Sequence, residues 1–276
     1  MADRILSSSS SPRRRPWFPA VAILLVGLGA AGGWWWESRR TAPAGTAEST
    51  PEATSEARLA AAGIDGRERA AIEGLVHDYI LAHPEILPEA MNRLQANGAA
   101  KQIAAQRDRI ETPFAGAVLG NPQGTITLVQ FTDSACTYCR QSVGDVAALV
   151  AAHPDLRVVV REMPILSRES EQAARMALSA ARQGRYAAFH EAMFAGEKPA
   201  AGTIAAAASK AGVDGGIAAP VAASAEVTNE LASNVALAKE LGITGTPAWV
   251  VGDKLLIGAV GRQALEAAIA ETRKPA

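Results

Sequence analysis

Ile126-Thr-Leu-Val-Gln-Phe-Thr-Asp-Ser-Ala-Cys-Thr-Tyr-Cys-Arg140 decides the reading of this chain, because it holds both of the protein's cysteines, Cys136 and Cys139. Ile126 to Phe131 is rich in β-branched and apolar residues and reads as a buried strand. Beyond the cysteines, Val143, Val146, Leu149 and Val150 recur at helical spacing. Cys136 therefore falls at a strand-to-helix turn, where unpaired N–H groups and the helix dipole favour an anion. A thiolate is such an anion and is the reactive form of cysteine. Cys139 lies about one helical turn further on, on nearly the same face, close enough to close a disulfide. A bridge across so short a loop removes little chain entropy and is a poor staple. A structural zinc site asks for four ligands; no second cysteine pair exists, and His77, His83, His153 and His190 are scattered. Thiol–disulfide chemistry is the favoured reading, with metal binding by the pair and two unreactive thiols as the alternatives.

A second stretch, Gly242-Ile-Thr-Gly-Thr-Pro-Ala-Trp-Val-Val-Gly-Asp-Lys-Leu-Leu-Ile-Gly258, reads as a turn, a strand, a Gly-Asp hairpin turn and a second strand. Pro247 heads the first strand, where a missing N–H is tolerable. The two stretches together resemble the DsbA-like exported branch of the thioredoxin superfamily, over about Pro113 to Ala270. The resemblance implies an α/β thioredoxin fold with a helical insertion, and thiol–disulfide oxidoreductase activity without a cofactor. It also implies a cis Thr246-Pro247 step beside the sulfurs, with the Thr246 backbone pairing with an extended substrate segment. Cys136 is then the attacking thiolate and Cys139 the resolving thiol, with Thr137 and Tyr138 tuning the redox poise. Relatives commonly place a buried Glu six residues before the first cysteine; here that position is Gln130, which does not titrate. Asp133 is nearer the site and is read either as a substitute proton relay or as a cap of the helix.

The chain has 276 residues, 49% of them hydrophobic, enough for a sizeable core. A net charge of −1 suggests neither nucleic acid nor an acidic substrate as a partner. Residues 1–16 form a polar, basic tail. Residues 17–36 carry no charge, and Trp17 and Trp34-Trp35-Trp36 bracket them. That length suits one bilayer crossing with interfacial tryptophans, and Arg13 to Arg15 favour a cytoplasmic N-terminus. A cleaved signal peptide, using the small residues Gly29 to Gly33, is the alternative. Either reading exports the remainder to the periplasm, where a Cys-x-x-Cys pair acts as an oxidant or isomerase. Residues 37–60 read as a flexible linker.

Residues 61–109 read as a separate helical segment. Ile72, Leu75, Val76, Tyr79 and Ile80 follow one apolar helix face, His83-Pro84 breaks it, and Leu87, Met91 and Leu94 mark a second helix. His77-Asp-Tyr-Ile-Leu-Ala-His-Pro-Glu-Ile-Leu-Pro-Glu-Ala-Met91 is similar to the N-terminal segment of the suppressor-of-copper-sensitivity C proteins, in which it can mediate oligomerisation. The other reading is that these helices pack on their own catalytic domain. That domain is placed at 110–276, with a strand at Leu156 to Met163, an Ala-rich helical insertion over about 167–241 and a last helix from Arg262 to Thr272. His190 is read as a helix-surface residue.

The expected partners are exported proteins with cysteines, a membrane redox partner and other copies of the chain, with no nucleic acid. Isomerase-like activity is favoured over that of a monomeric oxidase, because Tyr138 and Thr246 resemble the isomerase-like branch. A protein of another class, holding Cu(I) on the two thiolates, is the second reading. The absence of a Met-rich or His-rich tract weighs against it, and no metal site is assigned.

Overall fold

The computed structural model describes residues 58, 59 and 61–273. The segment at 17–36 lies outside the described residues, as does nearly all of the linker. No helix among the described residues is long and apolar enough to cross a membrane. The chain divides into two units, one up to Tyr79 and one from Ile80.

Helix α1 (Gly66–Ala82) starts with a capping box. The Asp65 carboxylate accepts the Arg67 and Glu68 N–H groups at 2.7 and 2.9 Å, and Glu68 accepts the Asp65 N–H in return. Ile72, Leu75, Val76 and Tyr79 are all exposed. Helix α2 (Ile86–Glu111) carries Pro88 in its first turn, where its missing N–H has no intrahelical partner to lose. Its two halves differ. Leu87, Met91 and Leu94 stand in solvent, whereas Ile103 and Ile110 are fully buried. The domain boundary expected at 109/110 therefore does not divide the structure. Ile103 and Ile110, two turns apart on one face, pack with Val129, Phe131 and Val159 of the sheet.

The sheet has the order β1-β3-β2-β4-β5. Its strands are β1 (Val118–Gly120), β2 (Ile126–Thr132), β3 (Leu156–Glu162), β4 (Ala248–Val251) and β5 (Lys254–Ile257). β2 and β3 are parallel and the other pairs antiparallel. The parallel pair needs a crossover, which helix α3 (Thr137–Ala152) supplies. Gly252 turns the β4–β5 hairpin with a φ of 57°, a conformation that favours glycine.

Both sheet faces are covered. Leu128, Val158, Val160 and Trp249 face a core shared with Val146 and Leu149 of α3 and with Leu265 and Ile269 of the last helix, α9 (Gly261–Thr272). Val129, Phe131, Val159 and Val250 face the other core, with α2 and Leu237. The insertion comprises α4 (Arg168–Arg182), α5 (Tyr186–Ala195), α6 (Ala201–Lys210), α7 (Gly215–Ala222) and α8 (Ala225–Glu240). Ala173, Ala174, Ala177, Ala180 and Ala181 line the buried side of α4, and such small side chains let neighbouring helices approach closely.

Candidate active site

Strand β2 ends at Thr132 and delivers the cysteines to the head of α3. Cys136 is the N-cap residue, with φ −76° and ψ 121°, and its N–H donates to the Asp133 carbonyl at 3.0 Å. The Cys136 sulfur accepts the Cys139 N–H at 3.4 Å, the place a serine or aspartate oxygen takes in an ordinary cap. Its thiol donates to the Thr246 carbonyl at 3.1 Å. Thr246-Pro247 is a cis peptide bond. These contacts bring the two sequence stretches together at one sulfur.

Both cysteines are free thiols, packed by Phe194 and Val143. Cys136 retains 6% exposure and Cys139 none. Burial pushes the Cys139 thiol up to about 12. The Thr132 and Thr246 hydroxyls and the backbone at Asp133 oppose that rise, and the neighbouring Cys136 adds to it. Both hydroxyls are buried beside the sulfur without completing a hydrogen bond in this resting geometry. They are donors that a Cys139 thiolate would draw in.

Thr137 and Tyr138 lie on the outer side of the helix start. Tyr138 is 62% exposed, so its ring stands in solvent and is not packed on the helix. Ile165 and Leu166 are exposed as well. Their N–H groups donate to the Asp133 carboxylate at 2.9 and 3.0 Å, and Ala135 N–H donates to it at 2.8 Å. Asp133 does not cap the helix, a role that Cys136 fills. It ties the cysteine loop to the loop after β3. Gln130 is buried between Val160 and Trp249 in the sheet register, and its Oε1 has no partner.

His190 is not a surface residue. It is buried on α5 against Tyr186 and Phe194, and burial lowers its pKa to about 4. The apolar spacing at Tyr186, Phe189 and Met193 marks one covered face, and the helix is covered beyond it. Arg140 joins α3 to the end of α5 by donating to the Phe194 and Gly196 carbonyls.

Sequence reasoning missed Glu162 and Tyr186. Glu162 is the register partner of Thr132 and projects to the same face of the sheet. It is fully buried, and the Tyr186 hydroxyl donates to its Oε1 at 2.7 Å. Burial pushes its carboxyl up to about 8; Asp133 adds to the rise and Tyr186 opposes it. The signal was available in strand parity, which sets Glu162 two places beyond the core residue Val160. Among the described residues no group of three or more His, Cys, Asp or Glu side chains is placed to hold a metal ion.

Comparison with known proteins matches two separate stretches of the chain. The DSBA-like thioredoxin domain family matches residues 127–270, and the copper resistance protein ScsC N-terminal domain family matches residues 68–101. Among solved structures, a thioredoxin-like oxidoreductase from Silicibacter pomeroyi is 42% identical. The match covers 62% of this chain and 99% of that one, with a TM-score of 0.58. A periplasmic thioredoxin-like protein from Salmonella enterica serovar Typhimurium is 31% identical over 60% of this chain and 94% of that one, with a TM-score of 0.55. Proteus mirabilis ScsC in a transitional conformation is 26% identical, over 75% of this chain and 97% of that one, with a TM-score of 0.58. Among curated proteins none matches the chain significantly.

Proposed function

The chain belongs to the DSBA-like thioredoxin domain family, and from that premise we propose that it exchanges disulfides with cysteine-containing proteins outside the cytoplasm, with isomerisation as its main task. The observation that carries the reading is the Cys136 sulfur at the head of α3, accepting the Cys139 N–H and in contact with Thr246. A negative charge on that sulfur is stabilised by the helix start. Cys136 attacks one sulfur of a substrate disulfide and forms a mixed disulfide, releasing the other substrate sulfur as a thiolate. Cys139 then attacks the Cys136 sulfur, which releases the substrate thiolate and leaves the enzyme oxidised, or a second substrate thiolate attacks the substrate sulfur of the mixed disulfide, which releases the Cys136 thiolate and leaves the enzyme reduced. The Thr246 backbone and Pro247 receive the substrate segment, and Thr137 and Tyr138 bound the approach to Cys136.

Residues 17–36 anchor the protein in the inner membrane with its catalytic domain in the periplasm, and a membrane partner restores the redox state of the cysteines. Residues 61–109 join copies of the chain through exposed side chains such as Leu87, Met91 and Leu94. Several active sites then share one cavity, which suits an isomerase. The test is insulin reduction beside reactivation of scrambled ribonuclease, with the Cys136→Ser variant and an exported form lacking residues 61–109. The reading expects no activity from the first. It expects monomers that reduce insulin but no longer isomerise from the second. An active Cys136→Ser variant overturns the chemistry, and isomerisation by the truncated form overturns the oligomer.

A further inference from the structure

The proposed exchange leaves one step without a base. Cys139 is fully buried and its thiol is held in the protonated form, yet it must lose a proton to resolve a mixed disulfide. Gln130 has no titrating group. The Asp133 carboxylate already accepts three backbone N–H groups.

We propose that Glu162 is the proton acceptor for Cys139, reached through the Thr132 hydroxyl, so that the second strand of the parallel pair supplies the base that β2 lacks. The inference rests on the thiol–disulfide reading above. Cys139 and Glu162 flank the same two residues, Thr132 and Asp133. The Thr132 hydroxyl and the Asp133 backbone act on the Cys139 thiol. Glu162 stands beside Thr132 in the β2–β3 register, on the same face, and is close enough to Asp133 for their charges to interact. The Thr132 hydroxyl is buried and unpartnered, free to accept from the thiol and donate to the carboxylate. Tyr186 holds the carboxylate from α5 through its Oε1.

The titratable groups around Glu162 are few. Asp133 faces it from the loop after β2, Tyr186 from α5, and His190 lies one turn beyond, its ring 6.0 Å from that of Tyr186. From α8, Asn234 donates to the Glu162 backbone carbonyl and carries no charge. Arg161 points to the opposite face and pairs with Glu230. With a midpoint of about 8, Glu162 is ionised in part near neutrality and exchanges protons readily there.

The Cys139 S–H bond breaks and its proton passes by way of the Thr132 hydroxyl to Glu162. The Cys139 sulfur bonds to the Cys136 sulfur, and the Cys136–substrate S–S bond breaks. The substrate sulfur leaves with the electron pair, and the enzyme pair becomes the disulfide. Glu162 gives up the proton when the leaving thiolate takes one. The substrate disulfide is the oxidant throughout.

A chromogenic aryl disulfide tests this in stopped flow on the exported chain. It releases one coloured thiolate when Cys136 attacks and a second when Cys139 resolves. In the parent protein the second phase should quicken with pH through a midpoint near that of Glu162. Glu162→Gln should lower the ratio of second-phase to first-phase rate at pH 7 by about tenfold or more and remove that midpoint. Tyr186→Phe loses a bond that favours the ionised carboxyl, so it should move the midpoint to higher pH. A rate ratio and profile unaltered by Glu162→Gln, or a Tyr186→Phe profile that stays put or moves down, overturns the proposal. Absence of the first phase in the parent protein would instead refute the thiol–disulfide reading. Carbon NMR of the Glu162 carboxyl answers the narrower question without turnover. Its midpoint should differ between dithiol and disulfide forms, and equal midpoints overturn the assignment.

Discussion

Replacing Glu162 by Gln should make the protein more stable at alkaline pH, although a buried hydrogen-bonded group is being changed. The carboxyl titrates at 4.5 in an unperturbed chain and at about 8 in the fold. Below 4.5 both states hold the proton, and the contribution of the group is fully present. Between those values the unfolded chain has lost the proton and the folded one keeps it, so stability falls as pH rises. Above the folded value both are ionised and the loss is complete. At about 1.4 kcal/mol per pH unit the whole window amounts to roughly 5 kcal/mol as an upper bound. His190 works in the opposite sense. Its folded midpoint is lowered from 6.5 to about 4, so it destabilises the fold as pH falls through that range and masks Glu162 there. The clean window is therefore from pH 6.5 to 8, where Glu162 alone of the two should cost roughly 2 kcal/mol. Urea unfolding of Glu162→Gln and its parent, both carrying Cys136→Ser to fix the redox state, measures it. The difference between the two proteins should move toward the variant by that amount across the window. A difference that stays flat, or moves toward the parent, refutes the burial argument.

Two further substitutions test how the site is held. Arg161 is buried and donates to Glu230, Asn234 and the carbonyls of Arg109, Ile110 and Thr112, so Arg161→Met should cost on the order of 3–5 kcal/mol in urea unfolding. A loss under about 1 kcal/mol would mean that the end of α2 is held by its apolar contacts alone. Asp133→Ala removes the acceptor for the Ile165 and Leu166 N–H groups. Hydrogen exchange at those two amides should rise at least tenfold with a stability loss on the order of 3 kcal/mol, and unchanged protection would show the loop to be fixed by other contacts.

The parts of this protein that were legible in its sequence are those set by local rules. The strand before Cys136, the helix after it, the Gly252 hairpin and the alanine-rich insertion each follow from spacing or turn chemistry within a dozen residues. β1 was missed because three residues, Val118–Gly120, are too few to show a period. The end of α2 was placed in the wrong unit because its anchors are distant: Arg107 reaches Gly252 and Asp253, and Arg161 reaches back to the last carbonyls of the helix. The chemistry of β3 was hidden for a related reason. A sheet covered on one side advertises its inner face by alternation, but this sheet is covered on both. Leu156-Arg-Val-Val-Val-Arg-Glu162 therefore reads as a short apolar run, Val158 to Val160, with Arg157 before it and Arg161 and Glu162 after it. Parity then sends Arg161 toward α2 and α8 and Glu162 toward the cysteines. Each charge is tolerated only because it finds partners there: Glu230, Asn234 and the carbonyls of Arg109, Ile110 and Thr112 for Arg161, Tyr186 for Glu162. The second case is the less complete, since one hydroxyl does not satisfy a buried carboxylate. That incompleteness keeps Glu162 near neutrality in its titration, and it is what a group exchanging protons with Cys139 requires.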